Sequence, residues 1–206
     1  MSNKRLRYSD HSKSVNTTPL KLDVIMIQQR PDDHPWVVEA KQTVAEQCYP
    51  HLGLITIDNI DHQLTIGEAW NLGVRESDAD LVLMFGDDDG LCVDCATVLV
   101  EGFTHLRKKA PNLVHLSSHC TVLNEEDGVS AQVAIAHTGM FLRQYLLDQP
   151  FDEDLQRHVG AAKVRAIEHS QRFLGEPLSM AVLHYSGYIY RQHMFMASGN
   201  PICFGK

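Results

Sequence analysis

Three consecutive aspartates, Asp87, Asp88 and Asp89, follow an apolar run at Leu81–Phe85 and stand directly before Gly90. Adjacent carboxylates repel one another, so a cluster of this kind needs a physical reason. Divalent cations such as Mg2+ and Mn2+ bind carboxylate oxygens and often bridge them to the phosphates of a substrate. The alternative is a solvated loop that places negative charge at the N-terminus of the next helix. The cluster therefore predicts either a metal site or a capping loop.

Other patterns exclude several chemistries. No glycine-rich phosphate loop follows the first apolar run, where Gln28 and Arg30 stand instead, which argues against P-loop kinases and standard nicotinamide dehydrogenases. Neither a G-x-S-x-G elbow nor an H-E-x-x-H motif occurs. Cys92 and Cys95 have zinc-ligand spacing without a second pair, so we expect both on the helix after the aspartates, buried and free of zinc. Arg191 would either clamp a phosphate or form a surface ion pair.

The composition indicates a soluble globular protein. The 206 residues are 44% hydrophobic and 21% charged, and no apolar run approaches the length of a membrane helix. Eighteen basic and 26 acidic residues give a net charge of −8, which disfavours nucleic acid as the default partner. Five cysteines, an odd number, fit a reduced cytoplasmic setting better than a disulfide framework. Residues 1–20 are polar and predict a mobile leader before a single domain at 21–206.

Apolar residues alternate between strand and helix periods along the chain. In the first half they predict strands Leu22–Ile27, Gly53–Asp58, Leu81–Phe85 and Asn112–Ser117, and helices Trp36–Cys48, Ile66–Val74 and Leu91–Lys109. In the second half they predict strands Val129–Ala136, Leu178–Tyr185 and Tyr188–Arg191, and helices Gly139–Leu147 and Asp152–Leu174. This alternation is typical of an α/β fold with a mostly parallel sheet flanked by helices.

Polar residues stand at the ends of the first three predicted strands. They are Gln28-Gln29-Arg30, Asp58-Asn59 and Asp87-Asp88-Asp89. The carboxyl ends of parallel strands meet at one edge of a sheet, where ligands of α/β proteins bind. We therefore expect these three clusters to converge on one binding site.

The order of these segments resembles the family-2 glycosyltransferases. Gln28-Gln29-Arg30-Pro31 is similar to the family's "YNRP" turn, Asp58-Asn59 to its "VDNGS" strand end, and Ala69-Trp70-Asn71-Leu72-Gly73 to its "ARNxG" helix. Further on, Pro150-Phe151-Asp152-Glu153-Asp154-Leu155 resembles a "GFDExL" segment, and Tyr190-Arg191-Gln192-His193 a "YRxHxxS" segment. The resemblance covers residues 22–198. Each motif is loose, and their order carries the likeness.

The resemblance implies an A-type glycosyltransferase fold, a Rossmann-like nucleotide-diphospho-sugar transferase domain, with a nucleotide-sugar half at 21–118 and an acceptor half at 119–206. It implies a metal-dependent, inverting transfer from a UDP-sugar to an acceptor hydroxyl, with Mn2+ or Mg2+ as the cofactor. The acceptor stays open among a saccharide, a lipid-linked glycan, a protein and a modified nucleic-acid base. The implied nucleotide-sugar contacts are Gln28, Arg30, Asp58, Asn59, Asn71, Asp87 and Arg191; the metal ligands are Asp88, Asp89 and His193; the catalytic carboxylates are Glu153 and Asp152.

Two departures keep other functions open. Gly86 replaces the first aspartate of the family's Asp-x-Asp-Asp motif, and His158–Ala161 occupies the stretch where the family has an acceptor-side Glu-Asp pair. A nucleotide-binding module without transferase activity is one alternative. A nucleotidyltransferase is another, although it usually needs a glycine-rich loop after the first strand. For Asp152-Glu153-Asp154, the alternative to a catalytic base is that the three acids start a helix, where the helix dipole favours negative charge.

Overall fold

The computed structural model describes residues 18–124, 130–134, 139–155, 162–164, 166–167 and 180–192. The strands are β1 (Leu22–Gln28), β2 (Leu52–Asp58), β3 (Leu81–Gly86), β4 (Gly90–Leu91), β5 (His115–Asn124), β6 (Ser130–Ala134), β7 (Met140–Leu142) and β8 (Met180–Gln192). The helices are α1 (Pro35–Ala45), α2 (Ile66–Glu76), α3 (Cys95–Arg107) and α4 (Arg143–Asp148). Within this part of the chain, no helix is long and apolar enough to cross a membrane.

The strands form one mixed sheet in the order β2-β1-β3-β7-β5-β8-β4, and β6 pairs with β5 outside this path. The first three strands are parallel to one another, with β1 in the middle. The short β7 lies between β3 and β5 and is antiparallel to both. β5 is parallel to β8, and β8 runs antiparallel to β4. The second half of the sheet therefore joins the first half beside the first three residues of β3.

Side chains of β1 alternate between two apolar layers, as expected for a strand that is covered on both faces. Val24 and Met26 pack in the layer that contains α1 and α3. Ile25 and Ile27 pack in the opposite layer, with α2 and α4. The sheet is thus sandwiched between helices, and its carboxyl edge is left for loops and polar side chains.

Caps fix where the first two helices begin. The side chain of His34 accepts a hydrogen bond from the backbone of Trp36, and Pro35 occupies the first helical position of α1. Thr65 and Glu68 form a capping box at the start of α2. Both helices begin just after the carboxyl ends of β1 and β2, so their N-termini face the polar edge of the sheet.

Several predicted elements have different boundaries. Leu91 does not begin a helix, because it pairs with Tyr188 as β4, and Cys92 also precedes α3. The fourth strand starts at His115 rather than at Asn112, because a turn closes between Ala110 and Leu113.

The predicted helix from Gly139 divides into strand β7 and helix α4, and the two late strands are one continuous strand, β8. Residues 151–155 are not helical, whereas 162–164 and 166–167 are. The rest of the helix predicted after Asp152 lies outside the described residues. Most of the predicted leader also lies outside them; Leu20, at its end, packs against the core.

Candidate active site at the carboxyl edge of the sheet

The ends of β1, β2 and β3 meet at the carboxyl edge. Gln28 and Asp58 are register partners at the ends of β1 and β2. The backbone N–H of Gln29 donates to Oδ2 of Asp87 at 2.8 Å, and the guanidinium of Arg30 forms an ion pair with the same carboxylate. These contacts confirm the prediction that the three polar strand ends converge.

Arg30 bridges two carboxylates of the acidic loop, which we define as residues 87–89. Its Nη1 contacts Oδ1 of Asp87, and its Nη2 lies 3.2 Å from Oδ2 of Asp88. The side chain of Asp87 is 3% exposed and that of Asp88 is 22% exposed. Burial raises the pKa of Asp87, although the N–H of Gln29 and the charge of Arg30 act in the opposite direction. Asp88 is therefore the carboxylate of this pair that solvent and solutes reach.

Asp89, the last residue of the acidic loop, is buried and faces β8. Its Oδ2 accepts a hydrogen bond from the hydroxyl of Tyr188 at 2.6 Å, and its Oδ1 accepts one from the backbone N–H of Arg191 at 3.2 Å. Burial, followed by the charge of Asp88, raises the pKa of Asp89 to about 8. Both carboxylate oxygens thus already accept hydrogen bonds from β8, and the role of Asp89 as a metal ligand stays a prediction.

Arg191 reaches the acidic loop because β8 pairs with β4. Its Nε donates to the backbone oxygen of Asp88 at 3.1 Å, and its Nη2 lies 2.7 Å from Oε2 of Glu39 on α1. Its side chain is 12% exposed. The structure therefore places a second guanidinium group beside the acidic loop, from a residue more than a hundred positions away in sequence.

Trp36 lies beside both arginines, and we did not predict this from the sequence. Its ring centroid lies 4.9 Å from the guanidinium carbon of Arg30 and 5.8 Å from that of Arg191. These distances are in the range of cation–π contacts. A tryptophan directly after Pro35, in the first turn of the helix that follows β1, is the signal that could have revealed it.

Gly86 gives the acidic loop room to fold back on itself. A Cβ atom at this position would lie 2.7 Å from Oδ2 of Asp89 and 2.9 Å from Oδ1 of Asp88. Real Cβ atoms essentially never approach other atoms within 3.0 Å. A side chain at position 86 would therefore have to displace these two carboxylates, which glycine leaves in place.

Three predicted nucleotide contacts also shape the surrounding loops. The buried amide of Gln28 donates to the backbone oxygen of Arg30 at 2.9 Å, and Asn59 holds Leu64 through hydrogen bonds of 2.9 and 3.0 Å. Asp58 is exposed, and its Oδ1 accepts the N–H of Ile60 at 3.1 Å. Their contact with a nucleotide stays a prediction.

Asn71 and Glu153 meet on the α2 side of the sheet. The buried amide of Asn71 binds both backbone groups of Phe151 at 2.9 Å, and its Nδ2 also donates to Oε1 of Glu153 at 3.0 Å. Arg75 lies 3.8 Å from the same carboxylate oxygen, and Glu153 is 52% exposed. Asp152 uses its Oδ1 to accept the N–H of Asp154. These acids lie in a turn, and the residues after Leu155 lie outside the described part of the chain, so the catalytic-base and helix-cap alternatives both stay predictions.

The acidic loop fits a divalent cation only if the substrate supplies part of the coordination. Among the described residues, no group of three His, Cys, Asp or Glu side chains is placed to hold a metal ion. His193, a predicted ligand, lies outside the described residues, as does His158–Ala161. Mg2+ commonly binds one or two carboxylates and completes its shell with substrate phosphates and water. The accessible carboxylate of Asp88 suits that arrangement.

The cysteines near the loop have poor properties for zinc. Cys95 and Cys120 are buried, and burial raises the pKa of their thiols to about 12 and about 11. Burial also raises the pKa of Cys92. Zinc binds thiolates, so it would have to displace protons that these sites hold tightly. The absence of zinc stays a prediction.

Comparison with known proteins identifies the fold. No family model matches the sequence, and no curated protein matches it. Solved structures of S. aureus TarS are similar to the chain at 12% identity. The complex of TarS 1-349 with UDP-GlcNAc superposes with a TM-score of 0.63 over 88% of this chain and 61% of TarS 1-349. The complex with UDP gives 0.61 over 84% and 61%, and the longer TarS structure gives 0.61 over 84% and 37%.

The chain therefore spans less than two thirds of the TarS structures it resembles, from 37% to 61% of their length. TarS is a glycosyltransferase. At this level of identity the likeness concerns the fold: the chain has an A-type glycosyltransferase fold, as the sequence resemblance implied.

Proposed function

We propose that this protein transfers a sugar from a nucleotide-diphosphate sugar, with UDP as the nucleotide, to an acceptor hydroxyl. The observation that carries the proposal is the carboxyl edge, where an acidic loop and two arginines converge. The fold that positions them is shared with TarS, whose solved complexes contain UDP-GlcNAc and UDP.

The two arginines are suited to the leaving group. Guanidinium groups bind phosphate oxygens through paired hydrogen bonds, and Arg30 and Arg191 both contact the acidic loop and lie beside Trp36. A divalent cation held by Asp88 and by the diphosphate would neutralise the charge that develops there. The chain's own contribution is to orient the diphosphate and to stabilise it as it leaves.

We assign the acceptor-side carboxylate to Glu153. In an inverting transfer, a base removes the proton of the acceptor hydroxyl, the acceptor oxygen bonds to the anomeric carbon, and the bond from that carbon to the diphosphate breaks. Glu153 is held by the amide of Asn71 and remains half exposed, so its free oxygen is open to an acceptor. Asp152, whose carboxylate binds the backbone of Asp154, has the positioning role in this proposal.

The test is product analysis. The protein is incubated with Mn2+ and a panel of nucleotide-sugars, and the released nucleoside diphosphate is quantified. Asp88→Asn is assayed beside Asp154→Asn, which removes an equal charge from the other acidic triplet. Diphosphate release by the wild type and by Asp154→Asn, but not by Asp88→Asn, supports the proposal. Pyrophosphate release would indicate a nucleotidyltransferase, and no release of either product would indicate a nucleotide-binding module.

A further inference from the structure

β2 forms one end of the sheet, so in the described part of the chain one side of its backbone has no neighbouring strand. The backbone N–H of Leu22 donates to the oxygen of His51 at 3.0 Å, and that of Asn59 donates to the oxygen of Gln28 at 2.8 Å. The odd-numbered residues of β2 therefore turn their backbone groups towards β1. The even-numbered residues turn theirs outwards, because successive residues of a strand alternate.

This outer side of β2 lacks the features that commonly protect an edge strand. Such strands often carry a lysine, a proline or a bulge, each of which hinders pairing with another chain. β2 contains neither lysine nor proline, and its register with β1 is continuous over all 7 residues. Residues 52–57 also carry no charge. The outer side is therefore able to pair with a further strand.

A cavity lies between β2 and the end of α1. Its volume is about 230 Å3, and its apolar lining includes Val44, Ala45, Tyr49, Leu52 and Leu54. A cavity of ~150 Å3 in another protein holds benzene, so this one has room for a leucine side chain. Leu54 itself is 37% exposed. A strand that pairs with β2 would bring its own side chains over this cavity.

α1 extends the apolar surface next to the cavity. Val38 and Ala45 are both exposed, and they lie two helical turns apart on one face of α1. Lys41, on the same face, pairs with Asp32 at 2.6 Å, so its charge is locally balanced. A stable interface buries roughly 800 Å2 on each partner, which requires more than one strand. This face of α1 supplies further area beside β2.

We propose that β2 pairs antiparallel with β2 of a second copy of this chain, around a two-fold axis at Leu54. Leu54 then faces Leu54 of the second copy, and Leu52 faces Thr56. All three residues turn their backbone groups outwards, so each facing pair exchanges two hydrogen bonds. A two-fold interface uses the same patch on both chains, and this patch is complementary to itself. The inference does not depend on the proposed function.

Other centres of the pairing are less favourable. A pairing centred on Ile55 or Thr56 would set Asp58 opposite a leucine, and removing a carboxylate from water without a partner is costly. A pairing centred on Gly53 would set Thr56 opposite Pro50, which has no N–H to donate. The proposed centre avoids both and leaves Asp58 beyond the paired residues.

Amide hydrogen exchange tests the pairing in the unaltered protein. In the dimer the N–H groups of Leu54 and Thr56 are hydrogen-bonded between chains, so their exchange should slow about tenfold or more as the protein concentration rises. The N–H groups of Gly53 and Ile55 face β1 within one chain, so their exchange should depend much less on concentration. Sedimentation velocity at the same concentrations should show a particle of twice the chain mass of 23.2 kDa.

One substitution should weaken the dimer through charge. Leu54→Lys places two like charges at the two-fold axis, so the dissociation constant should rise about tenfold or more. Leu147→Lys is the matched control, because Leu147 is also 37% exposed but lies on α4. Melting temperatures verify that both variants are folded.

Cysteine cross-linking tests the register. Leu54→Cys should form a disulfide between chains on mild oxidation, because the Cα atoms of a hydrogen-bonded pair lie ~5.5 Å apart. Thr56→Cys should not, because its two copies do not face each other in this register. The wild type, with its native cysteines, measures the background.

Concentration-dependent dimers with protection at Leu54 and Thr56, both lost in Leu54→Lys and kept in Leu147→Lys, support the proposal. A chain that stays monomeric up to about 0.5 mM overturns it. Protection of the two amides that does not depend on concentration also overturns it, because another segment of the same chain would then cover β2. A dimer that Leu54→Lys leaves intact, or that cross-links through Thr56→Cys instead of Leu54→Cys, contradicts the proposed pairing. If Leu54→Lys does not fold, the wild-type exchange and the cross-links decide.

Discussion

The chain carries two acidic triplets, Asp87-Asp88-Asp89 and Asp152-Glu153-Asp154, and the fold treats them in opposite ways. In the first, Asp87 and Asp89 are buried and bound to Arg30, Tyr188 and the backbone of β8. In the second, all three side chains are exposed. The first triplet directly follows β3, an interior strand of the sheet, whereas the second lies in a turn that contacts α2.

Burial of Asp87 and Asp89 in the first triplet carries an energetic cost that the exposed second triplet does not have. Removing carboxylates from water is unfavourable unless partners replace the lost hydration. The raised pKa values of Asp87 and Asp89 reflect that cost directly. Groups held in such a state are often functional, whereas exposed acids cost nothing to keep. The acidic loop is therefore the stronger candidate for a binding site. A catalytic role of the second triplet depends on Glu153, the acid that we assign as the base.

The largest expected effect belongs to Glu153. Glu153→Gln keeps the hydrogen bond with Asn71 but cannot accept the acceptor's proton, so turnover should fall about 10²–10⁴-fold while donor affinity is retained. Steady-state kinetics and UDP binding, measured together, separate the two effects. Near-normal turnover would remove the second triplet from catalysis and leave the acidic loop as the one functional cluster of the pair.

The next effect belongs to Asp88. Asp88→Asn should lower diphosphate release about 10²–10³-fold through lost stabilisation of the leaving group. The melting temperature should change little, because this carboxylate is partly exposed. Asp154→Asn is the control from the other triplet. Equal activity of the two variants would abolish the distinction between the triplets.

Gly86→Ala tests how tightly the first triplet is packed. The added methyl group would meet carboxylate oxygens of Asp88 and Asp89, so we expect a loss of roughly 1–3 kcal/mol in the free energy of unfolding. Gly90→Ala is the control, because a Cβ there would find ordinary contacts, the nearest at 3.5 Å from Ile189. Urea unfolding measures both variants. An equal loss in the two would mean that the loop has no special packing.

His115 is a buried polar side chain without a counter-charge in the described structure, in contrast to Asp87, which pairs with Arg30. Neither ring nitrogen has a hydrogen-bond partner in the structure as described, and burial lowers its pKa from 6.5 to about 3. The unfolded chain therefore binds a proton below pH 6.5 that the folded chain does not, so stability falls as the pH falls from 6.5 towards 3. Between pH 7 and pH 5, this residue should lower the free energy of unfolding by about 2 kcal/mol.

Urea unfolding at the two pH values measures this contribution. On acidification, His115→Leu should lose about 2 kcal/mol less of its free energy of unfolding than the wild type does. The exposed control His51→Gln should behave like the wild type. An identical pH dependence in His115→Leu and in the wild type would show that His115 has a partner in solution.

The sequence allows the first half of the fold to be predicted better than the second. The strands that become β1, β2 and β3 are mainly apolar and alternate with helices, so their parallel pairing and polar ends follow from local rules. The insertion of β7 between β3 and β5 does not, because a three-residue strand has no pattern of its own. Ser186-Gly187 looked like a break between two strands, yet β8 continues through it.

The same limit applies to the site. Asp87, Asp88 and Arg30 could be predicted because each directly follows a strand. The place of Arg191 depends on the pairing of β8 with β4, and that of Trp36 on where α1 packs. The hydrogen bond from Tyr188 to Asp89 is a long-range contact that no local pattern encodes.

Hydrogen exchange with and without UDP and Mn2+ tests the central claim, that the donor binds at the carboxyl edge beside the acidic loop. We expect slower amide exchange at residues 28–32 and 86–91 when both ligands are present. Exchange at residues 52–54, at the opposite end of β2, should be unchanged. Protection that is absent, or that is confined to residues 151–155, would contradict it.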